Sequence, residues 1–124
     1  MSLFDTTSFR VAEQGLNVMA RQAEIIAQNI ANADTPGYKA KYLYFEGILR
    51  DELNSRSAGS VVRKRLEIGT AVYTDEITND QPDGNNVDSD TQQALFNKNR
   101  LMYDLLVNQL NSDLTMVRTA MRKQ

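Results

Sequence analysis

From Phe9 onward, the apolar residues Ala12, Leu16, Met19, Ala23, Ile26 and Ile30 follow one another at intervals that alternate between three and four. That spacing holds one stripe of an α-helix for roughly 35 Å at 1.5 Å per residue, and it predicts a helix over about 6–34. A heptad period marks a stripe that packs lengthwise against a second helix, and the two alanines in it admit a close partner. A matching stripe lies at the other end of the chain, where Phe96, Arg100, Tyr103, Val107, Leu110, Leu114, Val117 and Met121 alternate by four and three with one polar exception. It predicts a second helix over about 88–122. Asp88 and Asp90 are good N-caps for it, Asp90 and Gln93 have capping-box spacing, and Arg118, Arg122 and Lys123 suit the negative end of its dipole.

Apolar residues also lie off these stripes. Val11, Val18 and Ile25 mark a second face on the first helix, and Leu95, Met102, Leu105 and Leu106 mark one on the last. At about 25 cal/mol per Å² of apolar area, leaving such faces wet forgoes several kcal/mol, so they are expected to pack against other subunits. The competing reading has the middle of the chain folding back over them.

The first stripe ends abruptly in Asn29–Tyr38, "NIANADTPGY". Pro36 turns Thr35 away from helical angles, and Gly37 supplies the positive φ of a type II turn, so the helix is expected to stop near Asp34. Beyond it, Tyr38, Tyr42, Phe45, Leu49 and Leu53 have near-helical spacing and predict a short helix, although Gly47 interrupts it and Tyr42–Phe45 equally suits an extended chain. Residues 55–87 are rich in Gly, Ser, Asn and Asp, with brief alternation in "LEIGTAVYTDEIT" that supports at most a small β-hairpin or strand. The expected fold is therefore mainly α, one domain over 1–124. Its long terminal helices pack as an antiparallel coiled-coil-like pair around an irregular middle segment, 35–87, with room for a short helix and a hairpin.

Composition sharpens this picture in two respects. A chain of 124 residues with 41% hydrophobic and 24% charged residues suits one folded domain. No apolar run approaches a membrane span, and "MSLFDTTSFR" has no basic region followed by an apolar stretch, so no cleaved signal is expected. Charge is segregated: Lys39–Arg65 holds seven bases (Lys39, Lys41, Arg50, Arg56, Arg63, Lys64, Arg65) against three acids, whereas Glu67–Asp90 holds seven acids and no base. These blocks read either as solvated faces or as surfaces that meet oppositely charged neighbours; no nucleic-acid module accompanies the basic one.

The chemistry available is narrow. The chain has neither Cys nor His, which removes thiolate sites, disulfides and the commonest general base. "NDQPDGNNVDSD" places Asn79, Gln81, Asp83, Gly84 and Asp90 in calcium-loop positions, yet the first is an amide, the last is the shorter carboxylate and no helix leads in. A turn at "DGN" followed by N-caps is the better reading. Carboxylates abound without a scaffold to hold two across a cleft. Tyr38 and Tyr103 read as packing residues with a hydrogen-bonded tip. No catalytic, metal or cofactor site is expected, and the chain reads as no enzyme, with no small-molecule or nucleic-acid partner.

Together with the paired terminal helices, "NIANADTPGYKAK" resembles the flagellar axial proteins of bacteria, and "ADTPGYKAK" with "DGNNVDSD" is similar to their B-type proximal rod family. The resemblance covers almost the whole chain. Its motifs fall on Asn29, Asn32, Thr35, Pro36, Gly37 and Tyr38, and on Asp83, Gly84, Asn85, Asn86, Val87 and Asp88. It implies architectural roles for them: the amides of Asn29 and Asn32 would serve orphan carbonyls or a neighbour's backbone, and Pro36–Gly37 would fix the exit turn. It also implies a structural rod subunit exported without a cleaved signal, with partners in further copies, other rod proteins, the rod-base adaptor and the type III export apparatus. Tyr42 and Tyr44 depart from acids common in the family, and Gln92 from a glutamate. The alternatives are the C-type proximal subunit, which usually lacks "DGNNVD", and a soluble coiled-coil export chaperone or binding module.

Overall fold

The computed structural model describes residues 7–45, 70–78 and 81–122. Helix α1 spans Thr7–Ala31, strand β1 Lys41–Tyr44, strand β2 Ala71–Thr74 and helix α2 Ser89–Arg122. α1 and α2 pack against each other and the strands form a two-stranded antiparallel sheet, with Lys41 opposite Thr74 and Tyr44 opposite Ala71. Neither helix is long and apolar enough to cross a membrane.

The helix pair is antiparallel. Asn29, near the end of α1, bonds Gln92 in the first turn of α2, and Met19 and Gln22 meet Asn99. Gly15 lies against Leu106, whose Cδ1 would stand only 3.1 Å from a Cβ at that position. Glycine here lets the helices approach closely.

α1 buries Ala12, Val18, Met19, Ile25 and Ile26. Full burial of a side chain the size of Val, Met or Ile contributes about 2 kcal/mol. Of the other expected stripe positions, Phe9, Leu16, Ala23 and Ile30 are half-buried. Val18 and Ile25, expected to seek other subunits, are instead covered within the chain: Val18 and Met19 form a core with Leu43 and Phe45 from the β1 segment and Leu106 from α2. The middle of the chain does fold back over that face, because a short sheet is wide enough to lie along it.

α2 departs further from its expected stripe. Its most buried residues are Gln92 and Asn99, and Leu95, Phe96, Leu106, Val107, Leu110, Asp113 and Val117 are half-buried. Phe96, Val107, Leu110 and Val117 thus face inward as expected, while Arg100, Tyr103, Leu114 and Met121 are exposed. The inner row is Gln92, Asn99, Leu106 and Asp113, one residue earlier than Arg100, Val107 and Leu114. Two amides hold core positions where a hydrophobic pattern finds none. α2 has 34 residues and α1 has 25, so α2 is about 13 Å longer at 1.5 Å per residue.

Three boundaries differ from expectation. The short helix over Tyr38–Leu53 is replaced by β1 at Lys41–Tyr44, where alternating Tyr42, Leu43 and Tyr44 suit a strand; residues 46–53 lie outside the described residues. The α-helix stops at Ala31 rather than near Asp34, since Asn32 N–H is shared between Gln28 O and Asn29 O and Ala33 N–H turns back to Ile30 O. The cap of α2 is Asp88, with no Asp90–Gln93 capping box: Asp88 Oδ1 accepts from Asp90 N–H at 3.1 Å, and its other oxygen accepts the Thr91 hydroxyl. Asp90 sits one residue inside the helix.

Candidate functional site

The two polar motifs, more than fifty residues apart in places, meet at the end of α1. Thr35–Tyr38 forms the turn expected of it: Tyr38 N–H donates to Thr35 O at 3.2 Å, and Gly37 has φ +71°. Gln81–Asn85 forms a second closed turn, with Gly84 N–H on Gln81 O and Gln81 N–H on Asn85 O, both at 3.0 Å. Gly84 has φ +86°, and a Cβ there would touch Gly37 Cα at 3.8 Å. The glycine of one motif therefore packs on the glycine of the other.

Four amides carry the junction. Asn29, fully buried at 0% exposure, donates from Nδ2 to Lys41 O at 2.8 Å and accepts Lys41 N–H on Oδ1 at 2.9 Å. The same Nδ2 reaches Gln92 Oε1 at 3.0 Å, and the Tyr38 hydroxyl donates to Asn29 Oδ1 at 3.4 Å. Asn85 Nδ2 donates to Asn32 O, Ala33 O and Thr35 O at 3.0, 2.9 and 2.8 Å, and Asn85 Oδ1 accepts Val87 N–H at 2.7 Å. Asn86 accepts Ala40 N–H at 2.7 Å and donates to Asp75 O at 2.8 Å, tying together the chain before β1 and the chain after β2. Asn32, half-exposed, donates to Gln28 O at 2.8 Å.

These contacts reassign the amides. Asn32 bonds Gln28 O, a carbonyl that its own N–H also reaches and that is therefore not orphaned, whereas Asn29 serves the β1 backbone and Asn85, from the distant motif, satisfies carbonyls that follow α1. Helix ends leave four such carbonyls without partners, and a buried end needs them filled. The cluster of Ala33, Ala40 and Val87, with Tyr38 and Tyr42 against it, excludes water around the bonds. Burial pushes the Tyr38 hydroxyl above its ordinary range, favouring the neutral form that donates to Asn29. Thr35 Oγ1 donates to Asn32 Oδ1, and Asp83 Oδ1 accepts Asn85 N–H. Asp83 and Asn85 are thus held in a turn of the protein's own backbone.

Among the described residues the bonds of this junction join neutral amides, hydroxyls and main chain, with the Asp75, Asp83 and Asp88 carboxylates at its edge. It is a site that holds shape. The sequence pattern pointed to Asn29 and Asn85 only as members of motifs, and it missed Gln92 and Asn99 as core positions. Asn99 donates to Met19 O at 3.1 Å and Gln22 Oε1 at 3.0 Å. The signal that could have found them is an amide repeating at heptad spacing, Gln92 to Asn99, beside apolar neighbours.

Comparison with known proteins agrees with this architecture. A family model described as "Flagella basal body rod protein" matches residues 9–39, which are nearly all of α1 and the turn after it. Over 120 residues the chain is 32% identical to the flagellar basal body rod protein FlgB of Escherichia coli, covering 86% of this chain and 87% of that protein. It is 28% identical over 122 residues to FlgB of Aeromonas hydrophila, covering 93% and 92% of the two chains. It is 29% identical over 126 residues to FlgB of Bacillus subtilis, covering 98% and 97%. With both motifs docked at the end of a long helix pair and identity sustained along nearly the whole length, the chain belongs to the FlgB family of flagellar basal body rod proteins.

Proposed function

We propose that this chain is a structural subunit of the proximal rod, polymerising with further copies and with other rod proteins into the shaft that carries torque across the periplasm. The observation that carries the reading is the uncovered outer side of α2. Leu101, Leu105 and Met116 are 66%, 64% and 61% exposed and recur along one side of the helix at intervals of four and eleven. A single chain gains nothing from apolar side chains placed there, whereas a shaft built of lengthwise helices covers them. Head-to-tail contacts that do not close generate a filament, and distributed apolar contacts resist twist.

The amide junction serves this role by fixing the angle at which the chain leaves α1. Residues 1–124 act as one axial unit, reach the periplasm through the flagellar export apparatus, and meet the adaptor at the rod base. Electron microscopy of purified basal bodies carrying a tagged copy tests the assignment; the tag is expected in the proximal segment. Its absence there, or a purified chain that stays a closed helical oligomer and never joins the rod, overturns the reading in favour of a soluble coiled-coil module.

A further inference from the structure

The two edges of the two-stranded sheet differ among the described residues: β1 is capped at Lys41 and β2 is open. Ala40 O accepts Asp75 N–H at 2.9 Å, and the register then puts Tyr42 opposite Tyr73 and Tyr44 opposite Ala71 as the next hydrogen-bonded pairs. On β1, the outward backbone groups of Lys41 are taken by the Asn29 amide. On β2, the outward groups are those of Val72 and Thr74, and among the described residues no backbone group pairs with them.

Among the described residues nothing protects this edge. The strand is Ala-Val-Tyr-Thr, all four residues are exposed, and it contains no proline, lysine or bulge of the kinds that ordinarily blunt an edge. Ile77, just past it, is 92% exposed. A row of alternating N–H and C=O groups is complemented by an extended main chain. Charge narrows the choice. Asp75 and Glu76 follow the strand directly, in a run of sequence from Glu67 to Asp90 that holds no base. The hydroxyl and N–H of Thr78 and the N–H of Ile77 on the Asp75 carboxylate keep it ionised. Lys41 lies on β1, whereas Lys39 Nζ reaches beyond β2 to Thr78 O at 3.0 Å and its charge helps keep Asp75 ionised; seven acids from Glu67 to Asp90 outnumber this one base.

We infer that the outer edge of β2 is a strand-addition site for an extended, basic segment of a neighbouring rod subunit. The inference rests on the rod reading only for the source of that segment; the edge itself is a property of the isolated chain.

The test uses the full chain and, as probe, the peptide Gly-Ser-Val-Val-Arg-Lys-Arg-Leu, which has the sequence of residues 59–66. An otherwise identical peptide with glutamate in place of the three bases is the control. Val72→Pro removes an outward N–H while leaving the Ala71 and Tyr73 groups that face β1, and proline is tolerated on the open side of an edge strand. Val72→Thr keeps the N–H and the branched side chain. Basic peptide is expected to bind wild type and Val72→Thr alike, about tenfold more weakly to Val72→Pro, and more weakly as salt rises. Circular dichroism confirms that Val72→Pro keeps its helices. No binding by wild type, equal binding of the acidic peptide, or a folded Val72→Pro that binds as wild type overturns the inference. Failure of the wild-type chain to enter the rod would overturn the proposed function and leave these peptide measurements standing.

Discussion

The Asn29 side chain engages Lys41 as a neighbouring strand would, donating to its carbonyl at 2.8 Å and accepting its N–H at 2.9 Å. One amide at the end of a helix thus stands in for a third strand and fastens the sheet to α1. Asn29→Ala leaves both Lys41 groups and Gln92 Oε1 without this partner, which costs about 3 kcal/mol when an unsatisfied buried group costs roughly 1–3. Urea denaturation of the purified chain should show a lower midpoint with an unchanged slope.

Asn85 makes a sharper case, because a near-isosteric change should be worse than truncation. Its Nδ2 faces three carbonyl oxygens just beyond the negative end of α1. Asn85→Asp puts a carboxylate against those oxygens, whereas Asn85→Ala only leaves them unpaired. Asn85→Asp is expected to lose more than 3 kcal/mol and Asn85→Ala about 2. Thermal melts at neutral pH rank the two, and lowering the pH toward 4 should partly restore the aspartate variant alone.

Gly37→Val should destabilise through the backbone alone. No atom lies within 4 Å of where its Cβ would be, so the penalty is that of φ +71° for a β-branched residue, about 1–2 kcal/mol. Gly37→Asn should cost less. Motility and secretion assays on both variants should show assembly impaired more than export in Gly37→Val.

The junction's acid response resides in Asp88 and Asp75. The Thr91 hydroxyl holds the Asp88 carboxyl below its ordinary value of 3.8, and the Thr78 hydroxyl does the same for Asp75. A depressed native value means the stabilisation is complete above the ordinary carboxylate range and disappears as pH falls through the native value. Stability should therefore be flat above about pH 5 and fall below pH 4, and Asp88→Asn should flatten part of that fall. Urea midpoints from pH 2 to 7 measure it.

Leu105→Glu separates folding from assembly. Leu105 is exposed on the outer side of α2, so the variant should keep the monomer's stability within about 0.5 kcal/mol. It should be exported but absent from purified basal bodies.

The helices and the turn at Thr35–Tyr38 were legible because heptad spacing, proline and glycine act locally. Val18 and Ile25 were misread because periodicity shows that a face is apolar without showing what covers it; Val18 is covered by Leu43, Phe45 and Leu106, and Ile25 is equally buried within the chain. Tyr42 lay between two periods: its spacing to Tyr38 and Phe45 is helical, while the pairing that makes it a strand comes from Tyr73, thirty-one residues on, stacked with ring centroids 5.5 Å apart. The amides were legible as a motif and illegible as a network. Nothing local tells Asn29 to bond Lys41 or Asn85 to reach back to Ala33.

Asn99 has a mechanical consequence. Uniform heptads allow one helix to creep along another by seven residues at little loss, since each knob finds an equivalent hole. Here Gln92 and Asn99 are themselves one heptad apart, so such a step brings one amide to the other's crossing and strips the remaining crossing of its own, Asn29 losing Gln92 or Met19 O and Gln22 losing Asn99. The two polar crossings act as detents: under load the pair bends and recoils as one piece, and a slip in either direction forfeits one of them.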